Sequence, residues 1–244
     1  MSTATPEQQR ALLELERVDA RLRRIAARIA ELQTDPEVAA ALQLRARAIA
    51  TAKELGAAEQ DVRDRLAAAE QKVGRVQASI EKDRRRLEQG GSAKDLMGLQ
   101  HEIDTRTRQL AEAEEAELEV MQELEDAVAH RARITPRLKE ADTEARRRVE
   151  ARDAEGRALT AERDELAGTR PAAAEGVGHP GLLARYEKIR TGRGTDRPAA
   201  AELRGTACGS CGTALSPTDA ATFRAAAPDE VLTCPECGVL LVRS

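Results

Sequence analysis

Four cysteines are the residues of this sequence whose type and spacing predict a definite chemistry. They form two pairs, Cys208-Gly-Ser-Cys211 and Cys234-Pro-Glu-Cys237, and a glycine follows each pair. A Cys-x-x-Cys turn directs two sulfurs at one metal ion, and the following glycine permits the positive φ that such a knuckle needs. Because four thiolates complete a tetrahedral shell, the pattern predicts one structural zinc ion rather than a catalytic one.

The two cysteine pairs leave two alternatives to a zinc site, an iron site and a redox-active pair. Twenty-two residues separate Cys211 from Cys234, slightly more than is usual for a zinc ribbon. Iron could bind the same four thiolates, and a redox-active pair would also read Cys-x-x-Cys, although no βαβ pattern surrounds either motif. A module of this size with a single phenylalanine buries too little apolar surface to fold unaided, which favours a metal that is required for folding.

The rest of the sequence contains no grouping that is typical of an enzyme. His101, His130 and His179 are far apart, and there is no Ser/His/Asp set, glycine-rich phosphate loop or paired-carboxylate pocket. Charged residues make up 34% of the chain, yet the net charge is only -4, so no global basic field indicates a nucleic-acid partner. We therefore expect a protein that is not an enzyme and has no small-molecule substrate.

The segments that must position the cysteines are mostly helical. Among 244 residues only Tyr186 and Phe223 are aromatic, and residues 1–170 are dominated by Ala, Glu, Arg, Leu and Gln, a composition typical of coiled coils. Apolar residues recur at alternating spacings of three and four over 15–32 and over 62–87, and a more diluted seam follows over 96–166. These patterns predict long amphipathic helices.

Turn residues divide these helices and predict a hairpin. Asp35-Pro36 interrupts the first helix, and Gly90-Gly91 ends the second, while Ser92 and Asp95 form a capping box for the third. Pro136 is expected to bend that third helix. Because the loop is short, the second and third helices must fold back on each other in antiparallel fashion. Apolar residues at equal distances from the turn support this register, with the following pairs: Leu87/Leu96, Ile80/Ile103, Val73/Leu110, Val62/Met121, Leu55/Val128, Ile49/Ile134 and Val38/Ala145.

The predicted fold is therefore mostly α, a long antiparallel coiled-coil hairpin with a small C-terminal zinc-ribbon (β) domain. We expect the hairpin over 1–170 with its tip at about 90–95, a linker over 171–198 with a short helix near 182–190, and the C4 zinc ribbon over 199–244. Short strands should flank the second knuckle. No apolar run approaches the length of a membrane span and no signal-peptide core is present, which predicts a cytoplasmic protein without a membrane partner.

Two sets of charged residues are the candidate partner contacts. The segment 185–204 carries more Lys and Arg than Asp and Glu, and it predicts contacts to an RNA backbone, with a solvated linker as the alternative. Because aromatic residues for base stacking are nearly absent, such binding should discriminate poorly between sequences. At the tip, Lys94 and Asp95 are candidate contacts to a partner. The candidate RNA contacts are Arg190, Arg193, Arg197 and Arg204.

Two segments of the chain resemble a bacterial family of coiled-coil hairpin proteins with a C-terminal C4-type zinc ribbon. One is the tip, 92–96 followed by Leu-Gln-His-Glu-Ile at 99–103, and the other runs from 182–190 through both knuckles. The family includes a flagellar regulator that binds the sigma-54 factor of RNA polymerase and flagellin messenger RNA. The resemblance implies that the zinc ligands are Cys208, Cys211, Cys234 and Cys237.

The resemblance also implies a partner, either a protein such as the transcription machinery or an RNA. We therefore expect a non-enzymatic zinc-binding adaptor that presents its coiled-coil tip and its ribbon to that partner in the regulation of gene expression. The alternative is an RNA polymerase accessory factor that acts through the coiled-coil tip.

Overall fold

Helices predominate in the computed structural model, which describes residues 3–192 and 197–243. The described residues form α1 (Pro6–Gln33), α2 (Pro36–Glu88), α3 (Ala93–Gly176), α4 (Pro180–Gly192), β1 (Ala200–Arg204), β2 (Ala207–Cys208), α5 (Pro217–Ala225), β3 (Leu232–Thr233) and β4 (Leu240–Arg243). The chain divides into a hairpin unit, Pro36–Val149, and a terminal unit, Met1–Asp35 with Glu150–Ser244. The prediction of a helical hairpin with a small strand-containing ribbon is confirmed.

A few neighbouring residues determine where the first two helices begin. The N–H of Gln8 donates to the Thr5 hydroxyl (3.3 Å), and the Thr5 N–H donates to the Gln8 side chain (2.9 Å). Pro6 then occupies the first turn of α1, where its missing N–H costs nothing. Helix α2 likewise begins at a proline, Pro36, which confirms the predicted interruption.

The turn between α2 and α3 has the predicted chemistry. Gly90 adopts a φ of 83°, a left-handed conformation that side chains disfavour. The N–H of Asp95 donates to the Ser92 hydroxyl (3.3 Å), which in turn donates to the Asp95 carboxylate (2.5 Å). The tip is therefore a short capped turn, and Asp95 takes part in the cap.

Ion pairs show that α2 and α3 run antiparallel. The pairs follow opposite orders along the two helices: Glu37 with Arg148, Arg45 with Asp142, Arg65 with Glu123, and Asp83 with Arg106. As the position in α2 rises, the position of its partner in α3 falls. This ordering is that of a hairpin whose arms fold back from residues 89–92.

Burial along the hairpin seam is uneven. Ile80 and Ile103, which the sequence places opposite each other, are both buried. Nearer the middle of the arms, Met121 and Val128 are exposed. Glu59 is only 2% exposed there, and its carboxylate accepts hydrogen bonds from Arg63 and from Arg131 across the hairpin. A buried carboxylate that pairs with two half-exposed arginines thus replaces part of the expected apolar seam.

The third helix is longer than the sequence indicates. It continues without interruption through Pro136 and Pro171 to Gly176, whereas the sequence predicts a hairpin that ends at 170 and a linker from 171. Packing explains the difference, because Val177 just after the helix is fully buried with residues of α1 and α4. Much of the segment expected to be a linker is therefore helix.

The sheet joins the ribbon to the helices of the terminal unit. Its strand order is β2-β1-β4-β3, with β1 and β4 parallel and the other pairs antiparallel. Ala200 and Leu240 pack in a core with α1 and α4, while the next residues, Ala201 and Leu241, pack in the ribbon core. This alternation follows from the two-residue period of a strand. The ribbon and the terminal helices consequently belong to one compact unit.

Candidate metal centre

Both cysteine pairs lie in equivalent tight turns. The N–H of Gly212 donates to the carbonyl of Cys208 (2.9 Å), and the N–H of Gly238 donates to the carbonyl of Cys234 (2.7 Å). The two glycines have φ values of 71° and 64°. The N–H of each first cysteine donates to the carbonyl just beyond the glycine, at 3.1 and 2.9 Å. These are the knuckles that the spacing predicts.

Strands and close backbone packing fix the two knuckles. Cys208 ends β2, and Cys234 directly follows β3, so each pair begins at a strand end. The N–H of Gly209 donates to the Glu202 carbonyl of β1 (2.9 Å). A Cβ at position 209 would lie only 2.6 Å from that oxygen, so this contact requires glycine.

The four sulfurs form a cluster of the size that one zinc ion requires. All four Sγ atoms lie within 4.8 Å of one another. The Cys208 and Cys237 sulfurs are 3.8 Å apart, and those of Cys211 and Cys234 are 4.0 Å apart. Tetrahedral zinc with Zn–S bonds of about 2.3 Å places its sulfurs about 3.8 Å apart. The cluster therefore fits a closed four-sulfur site.

The thiols differ in their ease of ionisation. Burial raises the pKa of Cys208 and raises that of Cys237 to about 12. Hydrogen bonds from the hydroxyl and backbone of Thr213 lower the pKa of Cys211 to about 6. Four thiolates this close together need a cation to offset their charge, and binding of a metal would release the remaining protons.

Comparison with known proteins identifies both parts of the chain. The profile of the CT398-like coiled coil hairpin domain matches residues 15–194, and that of the C4-type zinc ribbon domain matches residues 207–241. The chain belongs to the CT398-like coiled-coil hairpin family. This confirms the resemblance to bacterial hairpin proteins with a C4 ribbon, and the ribbon with its clustered cysteines is the site of one structural zinc ion.

Several relatives of this CT398-like chain match over almost its whole length. Two uncharacterized Mycobacterium tuberculosis proteins, Rv2229c and MT2288, are each 33% identical over 260 residues, which cover 97% of this chain and 95% of theirs. A solved structure from Mycobacterium smegmatis is 34% identical with a TM-score of 0.83, covering 99% of this chain and 100% of that one. CT398 from Chlamydia trachomatis, at 17% identity and a TM-score of 0.58, shares the fold over 97% of this chain and 98% of its own.

The two residues predicted as tip contacts, Lys94 and Asp95, differ in how free their side chains are to contact a partner. Lys94 is exposed, whereas the Asp95 carboxylate accepts the Ser92 hydroxyl within the helix cap. Met97 is 75% exposed, more than any other large apolar side chain among the described residues. Met97 was not predicted as a contact, because its place about one turn beyond a capped helix start becomes significant only once the structure shows that the side chain is exposed.

The predicted RNA contacts are only partly available. Arg190 donates to the Glu187 carboxylate (2.7 Å), and Arg204 lies 3.6 Å from a neighbouring glutamate of β1. Arg197 is exposed, and Arg193 lies outside the described residues. Two of the four arginines therefore already face acidic side chains of the same chain.

A buried polar cluster around Tyr186 was not foreseen. Tyr186 is fully buried, and its hydroxyl lies 2.8 Å from a carboxylate oxygen of Asp19 and 3.0 Å from one of Glu16. Arg170 donates two hydrogen bonds to Asp19, at 2.6 and 2.9 Å. Burial, followed by the charge of Glu16, raises the pKa of Tyr186 well above its ordinary range, so the hydroxyl stays a donor. The cluster links α1, α3 and α4.

The same cluster also holds the first strand. One oxygen of Glu16 accepts the N–H groups of Ala199 and Ala200, at 2.9 and 3.3 Å. The cluster is thus satisfied by protein groups on every side, which is typical of a structural rather than a catalytic role. The sequence feature that could have indicated this cluster is Tyr186, one of two aromatic residues in the chain. It lies four residues after Leu182, on the same helix face.

The three histidines lie on α3 and next to the start of α4. His101 and His130 are exposed, and the His179 Nδ1 accepts the N–H of Leu182 (2.9 Å) near the start of α4. Within residues 3–192 and 197–243, no helix combines the length and the apolar character needed to cross a bilayer.

Proposed function

We propose that this chain is a non-enzymatic cytoplasmic adaptor that presents the tip of its hairpin to a protein partner in gene expression. The observation that carries this proposal is the exposure of Met97 at a capped turn between two long helices. Its sequence neighbours Leu96 and Leu99 are half-buried, so Met97 is the large apolar side chain that the tip exposes. Methionine is flexible and polarizable, and it is common at protein-binding surfaces.

The zinc ion would stabilise the ribbon and take no part in chemistry. The proposed ligands are Cys208, Cys211, Cys234 and Cys237, whose sulfurs fit a closed tetrahedral shell. Such a site leaves no coordination position for a substrate. Cys208 and Cys234 are also part of the ribbon core, so the metal and the core would form together.

Charge distribution favours a protein partner over RNA. In the described part of the ribbon, 205–243, the cations are Arg224 and Arg243. The Arg243 guanidinium donates to the backbone carbonyls of Ala226, Ala227 and Glu230, so it acts as a clamp on the chain itself. A surface that reads a phosphate backbone needs several uncommitted cations.

The alternative, an RNA polymerase accessory factor, depends on the same tip. In that role Asp95 would have to reach beyond the tip, yet its carboxylate is held by the Ser92 hydroxyl. Lys94 and Met97 would then be the groups that remain for the contact. The test below separates this alternative by the identity of the partner recovered.

The proposal is tested by affinity capture from the native host with tagged wild type and two matched variants. Met97→Asp places a charge on the tip, and Leu118→Asp places the same charge on α3 at a side chain that is 64% exposed. We expect Met97→Asp to reduce recovery of the partner by about tenfold or more, the scale of a hot-spot residue, and Leu118→Asp to leave it unchanged. Polymerase subunits among the tip-dependent proteins would support the alternative. A partner captured equally well by both variants would contradict the role of the tip.

A further inference from the structure

Exposed large apolar side chains are concentrated in the hairpin unit. Among the described residues, all of them lie on α2 and α3: Leu42, Leu44, Ile49, Met97, Leu118, Met121 and Val128. Met97 belongs to the tip described above. The others lie along the arms, where a two-helix coiled coil covers only one stripe of each helix.

One of these residues borders a groove between the arms. Leu44 is 59% exposed and stands at the edge of a groove of about 670 Å³ between α2 and α3. Ala48, Ile134 and Ala141 also line this groove, and the two alanines leave space for a larger side chain. A protruding leucine beside a depression lined by small residues is the arrangement that packs by knobs into holes.

The charges around the groove are separated by sign. Arg47 and Arg137 line the end nearer the turn, at nearly equal distances from it along their helices. Glu140 lies about one helical turn farther from the turn than Arg137. Glu144, another turn on, already pairs with Arg147 and Arg148, so the negative charge that the groove offers is that of Glu140. Over the residues that the structure describes, no ion pair involves Arg47, Arg137 or Glu140. Leu44 lies between the positive and the negative end.

We propose that this groove binds a second copy of the same chain. A two-fold axis perpendicular to the arms near Leu44 would place the positive end of each groove against the negative end of the other. Arg137 would then face Glu140 of the second copy, and the symmetry would repeat that contact. The two Leu44 side chains would meet near the axis, each beside the alanine-lined depression of the other copy. The two hairpins would run in opposite directions.

The arrangement of charge selects this occupant. A groove with one sign of charge would suit a partner of the opposite sign, whereas a groove with opposite signs at its two ends is complementary to its own rotated image. Self-association would also cover Leu44, which is 59% exposed in the described structure.

The test is sedimentation equilibrium of the full-length, zinc-loaded protein, with folding of each variant checked by circular dichroism. Wild type should approach twice the mass of the 26.4 kDa chain at micromolar to submillimolar concentration. Arg137→Glu or Glu140→Arg alone should weaken dimerisation roughly tenfold, because each reversal turns two symmetric attractions into repulsions. The double variant should recover the wild-type dimer constant, since the pairs re-form with exchanged signs.

Leu44→Glu should abolish the dimer, and Leu118→Glu, away from the groove, should leave it intact. A wild type that stays monomeric over the whole range would overturn the proposal and leave the groove to another occupant. A double variant no tighter than either single variant would overturn it as well.

Discussion

Replacing Tyr186 by Phe should lower the free energy of unfolding of the terminal unit by about 2 kcal/mol. The phenylalanine ring can occupy the same fully buried space, so the change removes only the hydroxyl. That hydroxyl lies 2.8 Å from Asp19 and 3.0 Å from Glu16, both of them buried acids. The substitution therefore removes a single O–H donor that lies between two carboxylates.

The magnitude follows from what remains after the hydroxyl is lost. A hydrogen bond to a charged group contributes about 1.5–3 kcal/mol. Asp19 keeps its two hydrogen bonds from Arg170, and Glu16 keeps those from two backbone N–H groups of 199–200. Because neither carboxylate is left without donors, we expect a value in the lower half of that range.

The effect should also depend on pH in a defined direction. Burial by itself would raise the pKa of Asp19, but hydrogen bonds from Arg170 and Tyr186 and the charges of Arg170 and Arg190 bring it below the ordinary value of 3.8. A folded-state pKa below the unfolded one gives stability that is fully present above pH 3.8 and is lost as pH falls through the folded pKa. The difference between wild type and variant should thus be constant near neutrality and shrink in acid.

Urea denaturation followed by circular dichroism measures the change, and hydrogen exchange of peptides covering α4 and β1 localises it. Thr191→Val is the matched control, since this exposed residue of α4 donates its hydroxyl to the Glu187 carbonyl at 2.8 Å. The control should change stability by no more than about 0.5 kcal/mol. If Tyr186→Phe costs no more than the control, the cluster does not stabilise the fold in the way inferred here.

Three further predictions concern the metal, the hairpin and RNA. Purified protein should contain close to one zinc per chain, and Cys208→Ser should lose it and unfold the ribbon; absence of zinc together with a stable disulfide between the pairs would contradict the site. Cysteines introduced at Ile80 and Ile103, both buried in the hairpin seam, should oxidise to a cross-link within one chain, and efficient cross-linking between chains instead would show that these seams pair intermolecularly. If the segment 185–204 contacts RNA, alanine at Arg193 and Arg197 should reduce the log–log salt slope by about 0.7 for each lost phosphate contact, and absence of binding at low salt would remove this hypothesis.

The sequence was most informative where local chemistry decides the structure. The proline at the start of α2, the glycine and serine at the tip, and the two Cys-x-x-Cys knuckles each depend on a few neighbouring residues. Their outcomes match the prediction, including the φ of Gly90 and the hydroxyl cap of Ser92. Heptad spacing and the short turn likewise predicted the hairpin. The antiparallel order of its ion pairs confirms that prediction.

Features that depend on distant residues were missed. The end of α3 lies beyond the predicted hairpin boundary at 170, because burial of Val177 with residues of α1 and α4 favours continued order there. The cluster at Tyr186 joins residues of α1 to residues more than a hundred positions later, and single acids in a charged sequence look like solvated surface. Glu59 shows the same effect in the hairpin seam, where its partner across the hairpin, Arg131, becomes apparent only in the fold.

Site-specific photo-cross-linking in the native host tests the tip as the partner-binding surface most directly. A photoreactive amino acid at position 97 should form an adduct with one protein of defined mass, identified by mass spectrometry, because this side chain is the most exposed apolar group of the described hairpin. The same amino acid at position 118, exposed on α3, should not form that adduct. Adducts from position 118 with none from position 97 would contradict the proposal that the tip presents the adaptor to its partner.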